Sequence, residues 1–227
     1  MIPWILLAKA PIPGGGGELR LMRRGAEFSI RLGANELMNS RLSGSEEALA
    51  ALACERIRQR PRPRVLIGGL GMGFTLRAAL RALDASARVE VAELVPAVLQ
   101  WAEGPMAEIF AGSLGDPRAR VELSDVAEVI GAAKSTYDAI LLDVDNGPEG
   151  LTRAANDRLY DARGLAAARA ALRPGGVLAV WSSGPDRRFT QRLRDAGFAA
   201  EEIPARARGA RGGARHRIWI ATRPERA

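Results

Sequence analysis

The amino-acid sequence predicts a doubly wound α/β fold built on a mostly parallel sheet. After Pro63, short apolar runs typical of strands alternate with amphipathic segments typical of helices. A glycine-rich turn follows the first of those strands, and acidic residues stand at the ends of later ones. Ligands of such folds bind beyond the carboxyl ends of the strands, where these glycines and acids collect.

Residues 1–60 are expected to form a small N-terminal β-strand region followed by a helix. The run ELRLMRRGAEFSIRL alternates apolar and polar residues around Gly25, as β-hairpins do, and NELMNSR predicts a third short strand. Gly14–Gly17 is interpreted as a flexible lead-in. The helix is expected in SEEALAALACERIRQR, whose acidic start and basic end suit the helix dipole.

Residues 61–227 are expected to form a Rossmann-like domain, because RPRP ends the helix and marks a boundary. Parallel strands are predicted in RVLIGGLGMG, RVEVAEL, RVELSD, YDAILLDVD and VLAVWSS. Helices are predicted in FTLRAALRAL, PAVLQWAEGPMAEIF, VAEVIGAA, GLAAARAALRPGG and RRFTQRLRDAGF. A final antiparallel pair is predicted in AAEEIPA and RIWIATR.

Composition excludes several classes of protein. No apolar run approaches the roughly 20 residues that cross a bilayer, and the apolar start lacks the basic residues of a signal peptide. A single cysteine, Cys54, excludes an internal disulfide and indicates a reducing, cytoplasmic location. With His216 as the only histidine, a Ser-His-Asp triad or a histidine-rich metal site is not expected, and no metal is predicted.

The net charge of +7 raises the question of nucleic acid. Arginines are spread along the chain, with one dense cluster at residues 205–217. This cluster is either a phosphate-binding loop or a solvated hairpin tip. The tip is favoured, because no aromatic residues alternate with the arginines to stack bases, and His216 is interpreted as a solvated loop residue within it.

The glycine-rich turn lies in VLIGGLGMGFTLR, between a predicted strand and a predicted helix. Gly69, Gly71 and Gly73 allow a tight turn and let a ligand lie against bare backbone. A ligand-free turn explains the spacing as well. The segment lacks the Gly-Lys-Ser/Thr of a phosphate-binding P-loop.

Three acidic positions follow at the ends of the next strands. Glu93 stands about 20 residues beyond the glycines, where an acid accepts hydrogen bonds from ribose hydroxyls. Asp125 can accept from an adenine amino group, cap the next helix, or do both. Asp143 ends a buried strand beside the glycine turn, and Asp145 with Asn146 follows in a loop that a simple turn also explains.

Together these residues indicate a pocket for an adenine nucleoside. The acids repel a dinucleotide only mildly, so NAD stays open at this point. Three acids around one nucleoside suit a cationic ligand better, and the sulfonium of S-adenosylmethionine fits.

The motifs resemble those of the spermidine synthase family of polyamine aminopropyltransferases, over nearly the whole chain. VLIGGLGMGFTLR is similar to the family's VLVIGGGDGGTLR, and VEVAELVP to its V-x-x-V-E-I-D-P. DPRARVELSDV is similar to DPRV…GDA, and YDAILLDVDNGP to YDVIIVDSSDPxGP. LYDARGLAAARAALRPGGVLAVWS is similar to the family's following helix and fifth strand.

The resemblance implies a class I S-adenosylmethionine-dependent methyltransferase-like fold that binds decarboxylated S-adenosylmethionine and tends to dimerise. It implies that Glu93 holds the ribose, Asp125 the adenine amine, and Asp143 the attacking amine, whose proton Asp143 helps to remove. The other positions implied at the cofactor are Gly69, Gly71, Met72, Gly73, Leu94 and Val126. Those implied at the amine substrate are Asp145, Asn146 and Tyr160.

The chain departs from the family on the amine side. Met72 replaces an aspartate that binds the cationic tail, and the family's second aspartate falls at Asn146, one residue after Asp145. The segment at Gly44–Glu46 lacks the family's tail-contacting His or Gln, and Trp181 stands where Gln is frequent. The nucleoside half of the site is therefore better preserved than the amine half.

Three functions follow as hypotheses. The first is transfer of an aminopropyl group to an amine, which Asp143 and the extent of the resemblance favour. The second is methyl transfer from intact S-adenosylmethionine, which Met72 favours, because the intact cofactor carries its own carboxylate. The third is a noncatalytic relative that binds nucleic acid through the arginine-rich cluster.

Overall fold

The computed structural model describes residues 2–144 and 154–225, which form two sheets flanked by helices. The first sheet has four antiparallel strands in chain order. They are β1 (Ile5–Pro11), β2 (Glu18–Arg24), β3 (Glu27–Leu32) and β4 (Asn35–Asn39). The predicted hairpin around Gly25 and the predicted third strand are both confirmed, as β2, β3 and β4.

The glycine run is not a lead-in, and this prediction was wrong. Gly14–Gly17 connects β1 to β2, and all four glycines have positive φ, a conformation that other residues adopt only with strain. The sequence hid β1 because Ile5, Leu6 and Leu7 form an uninterrupted apolar run rather than an alternating one. All three are exposed on an edge strand.

The second sheet has seven strands in the order β10-β11-β9-β8-β5-β6-β7. They are β5 (Arg64–Gly68), β6 (Arg88–Glu93), β7 (Ala119–Leu123), β8 (Tyr137–Leu142), β9 (Leu172–Ser182), β10 (Ala199–Arg206) and β11 (Arg215–Thr222). Strands β5 to β9 are parallel, and β11 runs antiparallel between β9 and β10. The doubly wound sheet and its final antiparallel pair are as the alternation predicts.

The chain reverses its winding direction between β5 and β8. From β5 it proceeds outward through β6 and β7, then returns to place β8 on the other side of β5. A crevice opens at such a switch point, beyond the carboxyl ends of the two strands. The glycine turn follows β5 and Asp143 follows β8, so the topology brings both to the mouth of this crevice.

Eight α-helices lie in the described part of the chain. They are α1 (Gly44–Arg56), α2 (Phe74–Ala82), α3 (Pro96–Glu103), α4 (Ala107–Phe110), α5 (Val126–Ala132), α6 (Ala154–Tyr160), α7 (Ala162–Ala171) and α8 (Phe189–Asp195). Two predicted boundaries were wrong. Gly104 divides one expected helix into α3 and α4, and α7 ends at Ala171 because the RPGG segment belongs to β9.

One continuous core joins the N-terminal sheet to a face of the large sheet. Leu21 and Ile30 of the small sheet share this core with Leu49 of α1 and with Val65 and Ile67 of β5. A second core fills the other face, between the large sheet and helices α5 to α8. Division of the chain at residue 60 remains a prediction.

No helix within residues 2–144 and 154–225 is long and apolar enough to span a bilayer.

Candidate functional site

A cleft of about 190 Å³ opens at the switch point, between the carboxyl ends of the large sheet and the N-terminal sheet. Nine of the predicted site residues line it. They are Gly69, Gly71, Met72, Gly73, Glu93, Leu94, Asp125, Val126 and Asp143. The cleft therefore gathers the glycine turn and all three predicted strand-end acids.

The glycine turn follows the path that its sequence demands. Gly69 has φ of +87°, and a Cβ there would lie 2.7 Å from the carbonyl oxygen of Asp143. Gly73 has φ of +76°, and a Cβ there would overlap the ring of Phe110. A side chain at Gly69 or Gly73 would therefore collide with its neighbours. Gly71 instead presents bare backbone to the cleft, and a Cβ there would lie 3.3 Å from Met38 Sδ.

Glu93 ends β6 and is buried. Its Oε2 accepts a hydrogen bond from the Leu70 amide at 2.9 Å, and its Oε1 accepts one from the Val95 amide at 2.8 Å. Burial raises the pKa of this carboxyl, and the backbone amides oppose that rise. Glu93 thus holds the glycine turn in place while it faces the cleft.

Asp125 is the N-cap of α5, as one of its two predicted interpretations requires. Its Oδ1 accepts from the Ala127 amide at 2.8 Å, and its Oδ2 forms an ion pair with Arg158 of α6. Ser124, beside it, also lines the cleft, and its buried Oγ has no hydrogen-bond partner among the described residues. An adenine role for Asp125 stays a prediction.

Asp143 directly follows β8 and faces the cleft. Its Oδ2 accepts a hydrogen bond of 2.7 Å from the hydroxyl of Thr75, in the first turn of α2. Burial raises the pKa of Asp143, and the Thr75 bond opposes the rise. No described arginine or lysine forms an ion pair with this carboxylate.

Glu46 is a cleft residue that sequence reasoning missed. It lies in the first turn of α1, and the pKa of its carboxyl is raised to about 7 by burial and by the neighbouring charge of Asp143. Ser45 Oγ donates to Glu46 Oε2 at 2.6 Å. In the sequence Glu46 and Glu47 both look like ordinary first-turn acids, so only the packing of α1 on the sheet separates their roles.

The rest of the cleft is mainly apolar. Met72 is buried, so the position that carries an aspartate in the resembled family presents a thioether here. Trp181 of β9 adds an aromatic wall. The N-terminal sheet and its connections contribute Ile12, Leu19, Leu32, Leu37 and Met38.

Of the three predicted substrate residues, only Tyr160 lies in the described part of the chain, and it is not among the residues that line the cleft. Tyr160 is buried in the second core, where its ring packs edge-on against Phe189 at 5.8 Å. Asp145 and Asn146 lie outside the described residues. Their roles stay predictions.

The interpretation of His216 as a solvated loop residue was wrong. His216 is half-buried on β11, its Nδ1 lies 2.8 Å from Ser45 Oγ, and its ring packs edge-on against Trp181 at 4.8 Å. β10 and β11 form the predicted hairpin, but the tip of that hairpin folds back onto α1. The sequence concealed the burial of His216 because this contact joins distant parts of the chain. The Gly44 amide donates to the Ala207 carbonyl there at 2.9 Å.

The donors of this site do not form a metal centre. In the described ranges no group of three or more His, Cys, Asp or Glu side chains is arranged to hold a metal ion. Cys54 is buried, and burial raises the pKa of its thiol to about 12, which leaves it a poor nucleophile. The described residues offer the cleft carboxylates, bare backbone and an apolar wall.

The chain is similar in sequence to curated polyamine aminopropyltransferases. It is 33% identical over 144 residues to that of Mycobacterium tuberculosis, which covers 60% of this chain and 27% of the relative. It is 34% identical over 127 residues to polyamine aminopropyltransferase 1 of Streptomyces coelicolor, covering 55% of this chain and 23% of the relative. For the Nitrosomonas europaea protein the identity is 34% over 125 residues, covering 55% and 36%. The chain thus spans about a quarter to a third of the length of these relatives. No family model matches it.

Solved spermidine synthases share the fold. One, crystallised with the transition-state analogue AdoDATO, superposes with a TM-score of 0.74 at 17% identity, covering 96% of this chain and 72% of that one. The spermidine synthase of Thermotoga maritima superposes with a TM-score of 0.75 at 17% identity over the same shares. The predicted methyltransferase-like fold and the resemblance to the spermidine synthase family are confirmed.

Proposed function

We propose that this chain is a spermidine-synthase-like transferase that moves an aminopropyl group from decarboxylated S-adenosylmethionine to an amine acceptor. One observation carries the proposal. Two carboxylates, Glu46 and Asp143, face one cleft, and neither forms an ion pair with a described arginine or lysine. Such a pair has unsatisfied negative charge to offer a cationic ligand.

An amine substrate uses that charge in two ways. An alkyl amine has a pKa near 10, so it arrives as an ammonium ion that cannot attack. Carboxylates bind the ammonium, orient its nitrogen and accept a proton as general base. The sulfonium sulfur of the cofactor is already a good leaving group, so alignment of nitrogen, carbon and sulfur supplies much of the remaining acceleration.

The nucleoside is assigned to the other half of the cleft. Gly71 offers open backbone, Glu93 faces the ribose position, and Asp125 with Val126 faces the adenine position, as the family resemblance implies. The place of these residues beyond the ends of β5, β6 and β7 supports the assignment. Leu94 adds apolar surface against the nucleoside.

The apolar wall fits the methylene chains of the reactants. Met72 and Trp181 offer no carboxylate to the aminopropyl tail, so in this proposal the two carboxylates that hold the acceptor amine, Glu46 and Asp143, also supply the negative charge nearest the tail. A charge-assisted hydrogen bond contributes about 1.5–3 kcal/mol, which makes the choice of cofactor measurable.

Calorimetry tests the cofactor, with decarboxylated and intact S-adenosylmethionine titrated side by side into the purified chain. We expect the decarboxylated form to bind at least tenfold more tightly, with 5′-methylthioadenosine released when a diamine such as putrescine is added. Tighter binding of the intact form would contradict the proposal and direct the search to methyl acceptors. Binding of neither would refute a nucleoside site.

The family resemblance further supports a role in polyamine biosynthesis, a cytoplasmic location and a homodimer. For the dimer, the exposed apolar residues Ile5, Leu6 and Leu7 on edge strand β1 offer a surface for a second copy. Sedimentation analysis of the wild type and of Leu6→Lys tests this, since a dimer that pairs through β1 dissociates in the variant. A wild type that sediments as a monomer contradicts it.

A further inference from the structure

A continuous chain of hydrogen-bonding groups leads out of the cleft. Glu46 Oε2 accepts from Ser45 Oγ at 2.6 Å, and the same Oγ lies 2.8 Å from His216 Nδ1. Ser45 is fully buried, whereas His216 is half-buried on the hairpin. The chain therefore connects a cleft carboxylate to a titratable group nearer the surface.

Packing fixes the positions of Glu46 and His216, the two ends of this hydrogen-bonded series, relative to each other. The first turn of α1 is held by the Gly44 amide, which donates to the Ala207 carbonyl at 2.9 Å. A Cβ on Gly44 would overlap the backbone of Gly209, so the hairpin tip and α1 are in direct contact. The ring of Trp181, which lines the cleft, packs edge-on against the His216 ring at 4.8 Å and 73°.

A titratable group stands at each end of this hydrogen-bonded series, and each can take up and release a proton. Burial and the charge of Asp143 raise the pKa of Glu46 to about 7, with a smaller rise from Glu47 and an opposing effect of the Ser45 bond. Burial lowers the pKa of His216, so its neutral form, which can accept a proton, is favoured. The charged neighbours of His216 along β11 are Arg215 and Arg217.

We propose that Glu46 is a second catalytic carboxylate of this site, and that Ser45 and His216 carry the proton it receives to the hairpin surface. The inference rests on the proposed aminopropyl transfer and deepens it. Asp143, held by Thr75, orients the attacking nitrogen, while Glu46 has an exit route for the proton.

The reaction releases one proton, and this series of groups gives that proton a path out of the cleft. The ammonium gives a proton to Glu46, and the freed lone pair forms the new nitrogen–carbon bond. The carbon–sulfur bond breaks with its electron pair moving to sulfur, which turns the sulfonium into a neutral thioether. Protonated Glu46 then donates to Ser45 Oγ as that hydroxyl donates to His216 Nδ1, and the imidazolium loses a proton to solvent.

The test is steady-state turnover of the full chain with decarboxylated S-adenosylmethionine and putrescine from pH 6 to 10. We compare the wild type with Glu46→Gln, Ser45→Ala and His216→Ala. Glu47→Gln is the matched control, because Glu47 is the next acid on the same helix and pairs with Arg81 instead. Circular dichroism and cofactor calorimetry verify that each variant folds and binds the nucleoside.

We expect Glu46→Gln to lower kcat about a hundredfold, with the KM for cofactor nearly unchanged, and to abolish the rise of kcat with pH near 7. Ser45→Ala and His216→Ala lower kcat about tenfold. Ser45→Thr restores it, and added imidazole restores His216→Ala in proportion to its concentration, which a merely structural histidine would not allow. Glu47→Gln keeps the wild-type kcat at its plateau, and the rise with pH moves only slightly to lower pH because the small contribution of Glu47 to the pKa of Glu46 is lost.

An active wild type whose Glu46→Gln variant keeps its kcat and pH profile refutes the inference and leaves the proposed function intact. A wild type that binds cofactor but transfers nothing refutes the proposed function, and the proton route fails with it. If Glu46→Gln does not fold, the absence of imidazole rescue in His216→Ala is the refuting result.

Discussion

Two aspartates stand near opposite ends of β8, and their surroundings differ in one respect. Asp138, near the start of the strand, is almost fully buried. It forms ion pairs with Arg173 at 2.8 Å and Arg60 at 3.5 Å, and it accepts a hydrogen bond from the Arg64 amide at 2.8 Å. Asp143, just past the other end, accepts a hydrogen bond from the hydroxyl of Thr75. Asp138 is thus paired with arginines at one edge of the sheet, whereas Asp143, at the opposite edge, forms no ion pair with a described arginine or lysine.

Ion pairing distinguishes structural from functional buried acids. A buried carboxylate with cations around it stabilises the fold against the cost of its own desolvation. A buried carboxylate without neighbouring cations has a raised pKa and can bind a cation or a proton. Glu93 is an intermediate case, because backbone amides rather than cations satisfy its two oxygens.

Neutralising Asp143 should have the largest effect on turnover. Asp143→Asn keeps the shape of the side chain and its bond to Thr75, so nucleoside binding should stay within a few-fold of the wild type. Loss of the carboxylate that binds and orients the attacking nitrogen should lower kcat about 10²–10⁴-fold. Turnover that persists would make Asp143 a structural residue like Asp138.

The matching change at the other end is Asp138→Asn. It leaves Arg60 and Arg173 without their partner, so the free energy of unfolding should fall by about 2–3 kcal/mol, less than for a fully buried pair because both arginines are partly exposed. Urea denaturation measures this, and cofactor affinity is the control that should not move. A stability equal to that of the wild type would remove the contrast between the two ends.

Glu93→Gln sharpens the intermediate case. The amide can accept one backbone hydrogen bond but presents a donor to the other, so the glycine turn loses one of its two anchors at Glu93. Calorimetry should show affinity for the nucleoside reduced about tenfold, with kcat at saturation little affected. Unchanged affinity would refute the assignment of Glu93 to the cofactor.

The smallest expected effect concerns Glu46 and pH. Its pKa in the folded chain is raised to about 7, above its unfolded value, so the associated stability is fully present below about pH 4.5 and is lost as the pH rises through 7. Glu46→Gln removes this loss. We compare the free energies of unfolding of the variant and the wild type at pH 4.5 and at pH 8. The difference should shift in favour of the variant by on the order of 1 kcal/mol between the two pH values, after allowance for solvent at the cleft. Denaturation at both pH values checks the difference, and a gain of equal size at pH 4.5 would contradict it.

The parts of the site that the sequence predicts are those that local motifs determine. The glycine turn, Glu93 and Asp125 each follow a strand whose end is visible in the hydrophobic pattern, and parallel strands align their ends at one edge. Asp143 was found for the same reason. The fold class followed from the alternation of strands and helices, while the boundary errors at Gly104 and in the RPGG segment are of the kind that tertiary packing decides.

The rest of the site depends on contacts between distant parts of the chain. Glu46 enters the cleft because α1 packs across the large sheet, and His216 approaches α1 because the hairpin folds back. These pairs are separated by up to 171 positions, and no local pattern encodes such a contact. One histidine among arginines looked solvated for that reason.

The strand order also governs when the site can assemble. Because β11 lies between β9 and β10, a nascent chain holds β9 with an unpaired edge until residues 215–222 have left the ribosome. His216 travels on that strand, so the glycine turn and Asp143 can be in place while Ser45 still lacks its partner. In the proposed route, Ser45 therefore gains its histidine partner only once β11 has inserted between β9 and β10.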